Sequence, residues 1–139
     1  MATAIPATGR RRNLTVDEAL ALLRTRPVGR LVYVVDGEAK VVPLNYLVHR
    51  RTITFRTAYS VLLHDIEQRP VLFEVDYSDN ARREGWSVIV HGVAEEIWRP
   101  EELDVARRLP LRPWAPGNRD HYVRILSTGI TGRRISSSE

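Results

Sequence analysis

Between Gly29 and Thr57 three strand-like runs, GRLVYVV, AKVVPLNYLV and TITFRT, follow one another with only DGE and HRR to join them. Connections this short fit hairpin turns, so this part of the chain is expected to form an antiparallel meander. In TITFRT the period of two puts Thr52, Thr54 and Arg56 on one face and Ile53, Phe55 and Thr57 on the other. Arg56 is therefore expected to point away from the sheet core, where it reads equally as an anion ligand or as a surface arginine.

The flanking segments fill in the architecture. Thr15 and Glu18 have the spacing of a capping box, and Val16, Ala19, Leu20 and Leu23 form one apolar stripe, which predicts a helix ended by Pro27. AYSVLLHDIEQRP predicts a short helix, and VLFEVDYS places Val71, Phe73, Val75 and Tyr77 on one side of a strand. The polar DNARREG leads into the longest strand, WSVIVHGVAEEIW. Pro100 opens a third helix, LPLRPWAPGNRD reads as a loop, and HYVRILSTGITGRRI reads as a final pair of short strands. Six or seven strands with three short helices and no regular strand-helix alternation predict an antiparallel β-barrel with peripheral helices. Residues 1–13 read as a flexible basic lead-in, 14–135 as one domain, and 136–139 as a disordered serine-rich tail.

Composition narrows the function. The formal charge of +4 first looks like that of a nucleic-acid binder. The excess sits at Arg10, Arg11, Arg12, Arg133 and Arg134, however, and residues 13–132 carry 16 basic and 16 acidic side chains. Nucleic acid is therefore not an expected partner. There is no cysteine, no long apolar run and no secretory leader pattern, so a soluble cytoplasmic protein without disulfides or a membrane span is expected.

Several chemistries find no support. His49, His64, His91 and His121 lack metal-ligand spacing, and no metal site is expected. No nucleophile elbow, triad pattern, Walker loop or dinucleotide glycine fingerprint occurs. What remains is a constellation. Pro43 interrupts an otherwise good strand and so marks an edge, a bulge or exposed backbone. Arg56, Thr57 and Ser60 follow one strand later, and Trp86 and Ser87 open the long strand. A guanidinium and hydroxyls for phosphate, free backbone for heterocycle edges and an aromatic surface are what a planar, phosphate-bearing ligand requires.

Taken in order, RPVGRLVYVVDGEAKVVPLNYLV, ITFRTAYS, RPVLFEVD and EGWSVIVHGVAEEI resemble the pyridoxamine 5′-phosphate oxidase-like family of FMN-binding split barrels, particularly its small flavin-nucleotide-binding and nitroimidazole-reductase-like members. PWAPGNRDHYVRI and TGRRI resemble the tail of one branch. The resemblance implies a homodimer with FMN, or in other branches a deazaflavin, in a cleft between two barrels. It assigns Arg56, Thr57 and Ser60 to the phosphate side and Pro43, Leu44 and Asn45 to the strand along the flavin ring. Trp86 and Ser87 become a ring-side or partner-chain contribution. Asn45 and Tyr46 face opposite sides of a regular strand, so only one of them can meet the ligand.

The implied function is that of a flavin-dependent oxidoreductase passing electrons or hydride to a small organic acceptor; a non-enzymatic flavin carrier or sensor is the alternative. Oxidation of pyridoxamine phosphate itself would need a second phosphate-binding set, which the chain does not display. One position departs from the family pattern: where many relatives carry a lysine, this chain has Val61. Loss of that cation would weaken phosphate binding by about 1 to 3 kcal/mol unless another replaces it, with Arg50, Arg51 and Arg69 as candidates. Trp114 and Tyr59 are further candidates for the mouth of a substrate site.

Overall fold

The computed structural model describes residues 9–137. In chain order the elements are β1 (Arg10–Asn13), α1 (Val16–Leu23), β2 (Val28–Val35), β3 (Glu38–Asn45), β4 (Leu47–His49), β5 (Thr52–Thr57), α2 (Val61–Ile66), β6 (Pro70–Asp79), β7 (Glu84–Ile97), α3 (Pro100–Arg107) and β8 (His121–Ser136). The strands form one antiparallel sheet in the order β3-β2-β6-β7-β8-β5-β4, with β1 added alongside β8. The sheet curls into a half-barrel that brings β3 towards β5 without pairing them.

Local chemistry sets the early elements. Thr15 caps α1: its Oγ1 accepts the Glu18 N–H at 3.2 Å and the Glu18 carboxylate accepts the Thr15 N–H at 3.0 Å. Ala19, Leu20 and Leu23 are buried as the stripe requires, whereas Val16 is exposed. Asp36 and Gly37, both at positive φ, close the β2–β3 hairpin with Val35 opposite Glu38. Counting back from this two-residue turn, Pro43 faces Arg30 at a non-hydrogen-bonded position of edge strand β3, so its missing N–H points to the open edge and costs no ladder bond. Gly29 is required by packing, since a Cβ there would lie 2.3 Å from the Phe73 ring.

Three expectations are corrected. AKVVPLNYLV is not one returning strand of a meander. It breaks at Tyr46, so that β3 pairs with β2 at one side of the sheet and β4 pairs with β5 at the other. Tyr46 drives the bend: its ring is buried against Phe73 and its hydroxyl donates to the Leu23 carbonyl at 2.5 Å. Burial pushes the Tyr46 phenol well above its ordinary pKa, keeping the O–H that makes this bond. Second, the C-terminal segment is a single strand, β8. Gly92 pairs with Ser127 and His91 with Gly129, so Thr128 bulges between them and gives the sequence its interrupted look. Third, Arg10–Asn13, expected in the flexible lead-in, pairs with Arg133–Ser136, and Arg12 bonds Glu18 at 2.9 Å. The remaining residues of the expected lead-in, 1–8, and residues 138–139 of the expected tail lie outside the described residues.

The core gathers Leu31, Phe55, Phe73, Val75, Val88, Val90, Val123 and Ile125 from the concave face, covered by Leu20 and Leu23 of α1 and Leu63 and Ile66 of α2. A smaller cluster of Ile97, Ala106 and Tyr122 seats α3. No helix among the described residues is long and apolar enough to cross a membrane.

Candidate functional site

The end of β3, the end of β5, the start of α2 and the loop at residues 109–120 enclose a cavity of about 600 Å³. Pro43, Leu44, Asn45, Arg56, Thr57 and Ser60 all line it, together with Trp114 and Arg119 from the loop. The walls are largely apolar with a few converging polar groups, the usual make-up of a small-molecule site. Residues well separated in sequence meet here because β3 and β5, which do not pair, face each other across the opening of the half-barrel.

Arg56, Asn45 and Thr57 are each engaged by hydrogen bonds within the protein. Arg56 does point away from the core, but its Nε donates to the Arg119 carbonyl at 3.0 Å and its Nη1 to the Leu111 carbonyl at 3.2 Å. Its guanidinium also lies over the Tyr122 ring, 5.2 Å from the centroid. Arg56 thus anchors both ends of the loop, a role that neither sequence reading anticipated. Asn45 faces the cavity while Tyr46 enters the core. The Asn45 Nδ2 donates to the Pro27 carbonyl at 3.1 Å and its Oδ1 accepts the Trp114 N–H at 2.7 Å. Thr57 is buried and donates to the Ala58 carbonyl at 3.1 Å. Ser60 stands at the N-cap of α2 without a side-chain capping bond.

Arg119 is the residue that sequence reasoning missed. It lines the cavity, and its buried Nε has no hydrogen-bond partner among the described residues. The only available signal was an arginine beside the turn-forming Gly117 in PWAPGNRD, and a loop has no periodicity to show where its side chains go. Trp114, read as a candidate for the mouth, is on the cavity wall and 71% exposed.

The remaining expected residues lie elsewhere in the structure. Trp86 is buried in the barrel core, opposite Tyr77 and Arg134. Ser87 lines a separate recess with Asn13, Ile89 and Arg133. Arg50 and Arg51 form the β4–β5 turn, where Arg51 meets Asp17 at 3.5 Å, and neither they nor Arg69 line the cavity. The Tyr59 ring meets His121 at a tilt, with centroids 5.5 Å apart, and the His121 Nδ1 lies 2.5 Å from Glu96 Oε2. Arg124 bridges Glu95 at 2.6 Å and Glu102, whose carboxyl it holds below the usual range.

The sequence pattern of the pyridoxamine 5′-phosphate oxidase family matches residues 15–134. The uncharacterized protein Rv0080 of Mycobacterium tuberculosis is 34% identical over 125 residues, which cover 86% of this chain and 82% of that protein. The FAD binding protein from Mycobacterium smegmatis has a similar structure, with a TM-score of 0.82 at 40% identity, covering 90% of this chain and 98% of that one. An FAD-binding protein from Mesorhizobium loti has a TM-score of 0.75 at 25% identity, covering 89% and 97% of the two chains. With the family pattern spanning both flanks of the cavity and the split-barrel fold shared throughout, the chain belongs to the pyridoxamine 5′-phosphate oxidase family.

Proposed function

We propose that this protein binds a flavin nucleotide in the cavity between β3 and the 109–120 loop and acts as an oxidoreductase towards a small organic acceptor. The observation that carries the proposal is the convergence of Pro43, Leu44, Asn45, Arg56, Thr57 and Ser60 on one cavity of about 600 Å³. The lining fits such a group. Val28, Pro43, Leu44 and Leu62 supply apolar wall, Trp114 supplies aromatic surface, and the Arg119 guanidinium and the Ser60 hydroxyl supply polar contacts for phosphate.

A bound flavin would supply the electron-accepting ring; binding, orientation and control of access fall to the protein. Pro43 and Leu44 would support the ring from the edge strand. Asn45 fixes the height of the loop over it by holding the Trp114 N–H. FMN is the form implied by the family resemblance, while the names of the two structural neighbours bring FAD forward; a deazaflavin is the third choice. In a homodimer, Ser87 would approach the cleft from the second copy, whereas Trp86 stays in the core of its own barrel. Val41 and Val61, exposed apolar residues that adjoin the lining residues Val42, Ser60 and Leu62 in sequence, support such a covering partner.

One feature favours the carrier or sensor reading. Among the described residues no carboxylate or imidazole lines the cavity, so none of them offers a general acid or base at the wall. A titration of the purified protein with FAD and FMN, followed by flavin fluorescence, tests binding, and anaerobic reduction by nicotinamide nucleotides with acceptor screening tests turnover. Quenching with reduction supports the oxidoreductase, quenching without reduction supports the carrier, and unquenched fluorescence overturns both.

A further inference from the structure

We propose that Arg119 is the phosphate-binding cation of the cavity and that Arg56 is the positioning residue that keeps it there. This deepens the flavin reading and rests on it. Among the described residues, Arg56 and Arg119 are the two charged residues of the lining, and the lining includes no carboxylate. A half-buried positive wall of this kind favours an anionic ligand.

The two arginines are not equivalent. Arg56 gives its Nε and one Nη1 bond to main-chain carbonyls and lies against Tyr122. Arg119 keeps a buried Nε that pairs with nothing among the described residues. That Nε has no surface open to the cavity, so Arg119 would meet a ligand through its two terminal guanidinium nitrogens, which form no hydrogen bond or ion pair among the described residues. Its fork of N–H groups suits phosphate oxygens better than a single ammonium would.

The loop is built to hold this group still. Arg56 bonds the carbonyls of Leu111 and Arg119, Asn45 bonds the Trp114 N–H between them, and Gly117 at φ +103° makes the turn that an L side chain would resist. The cation missing at Val61 is thus supplied from the opposite wall, by the loop rather than by α2.

Affinities of riboflavin, FMN and FAD, measured by fluorescence quenching in the wild type, Arg119→Gln and Arg119→Lys, test the assignment. Wild type should prefer FMN and FAD to riboflavin, with a preference that declines as salt rises. Arg119→Gln should lose about 10- to 100-fold for FMN and FAD, with riboflavin unchanged, and Arg119→Lys should recover part of that loss. Retained phosphate preference in Arg119→Gln, or equal loss for all three ligands, overturns the assignment and leaves the flavin reading standing. A wild type that binds none of the three overturns both. Arg56→Gln should also lower the phosphate preference, but not further in the Arg119→Gln background; an independent fall in the double variant removes the positioning role.

Discussion

The side chain of Arg56 holds the main chain of Arg119: its Nε donates to the Arg119 carbonyl at 3.0 Å across 63 residues of sequence. The end of β5 and the far end of the 109–120 loop are thereby fixed to each other, and the cavity acquires its outer wall. Arg56→Ala should lower stability by about 1–3 kcal/mol, since two charge-assisted bonds to half-buried carbonyls are lost. The check is a urea unfolding curve together with hydrogen exchange, in which the Trp114 amide should lose protection while β6 and β7 amides keep theirs.

Asn45 is the second clamp on the same loop, and its two bonds have opposite polarity. It donates to the Pro27 carbonyl and accepts the Trp114 N–H. Asn45→Asp keeps the acceptor but turns a carboxylate oxygen towards the Pro27 carbonyl. This variant should therefore lose about 1–3 kcal/mol, with the deficit shrinking as the new carboxyl is protonated. Thermal unfolding of Asn45→Asp against wild type at pH 4 and pH 8 reads this directly.

Gly29 and Gly129 make a matched pair for packing. A methyl group at Gly29 would meet the Phe73 ring at 2.3 Å and Val75 at 2.9 Å, both in the buried core, whereas a Cβ at Gly129 meets nothing within 4 Å. Gly29→Ala should cost about 1–3 kcal/mol from overpacking. Gly129→Ala should be neutral or stabilise by about 0.4–1 kcal/mol through the unfolded state. Urea midpoints with unchanged m-values are the expected form of both results.

Glu74 should leave a pH signature. Partial burial, then the neighbouring Asp76, raise its carboxyl from the ordinary 4.5 to about 7, although Arg30 bonds it at 2.8 Å. Because the folded-state value is the higher one, its contribution to stability is fully present below about 4.5 and is lost as pH rises through about 7. Glu74→Gln should remove that decline, and unfolding curves between pH 4 and pH 8 would show a flatter profile than wild type.

Local elements were legible in the sequence because their causes are local. The Thr15–Glu18 capping box, the Asp36–Gly37 turn and the alternation through Val71, Phe73 and Val75 each carry their own signal. Sheet order does not: β3 and β4 part company because β6, β7 and β8, all later in the chain, come between them. Strand β1 has no apolar pattern and becomes a strand only because Arg133–Ser136 offers a free edge. Within the cavity, the period of two places Arg56 on the outer face but says nothing about which acceptors its guanidinium finds. Those acceptors belong to a proline-rich loop, and so does Arg119.

A crystal structure of the protein grown with FAD tests the central claim most directly. The predicted result is the flavin ring against Pro43, Leu44 and Trp114, with a phosphate oxygen on Arg119. Ordered flavin elsewhere on the molecule, or protein crystallised in saturating FAD with this cavity free of it, would contradict the assignment of the site.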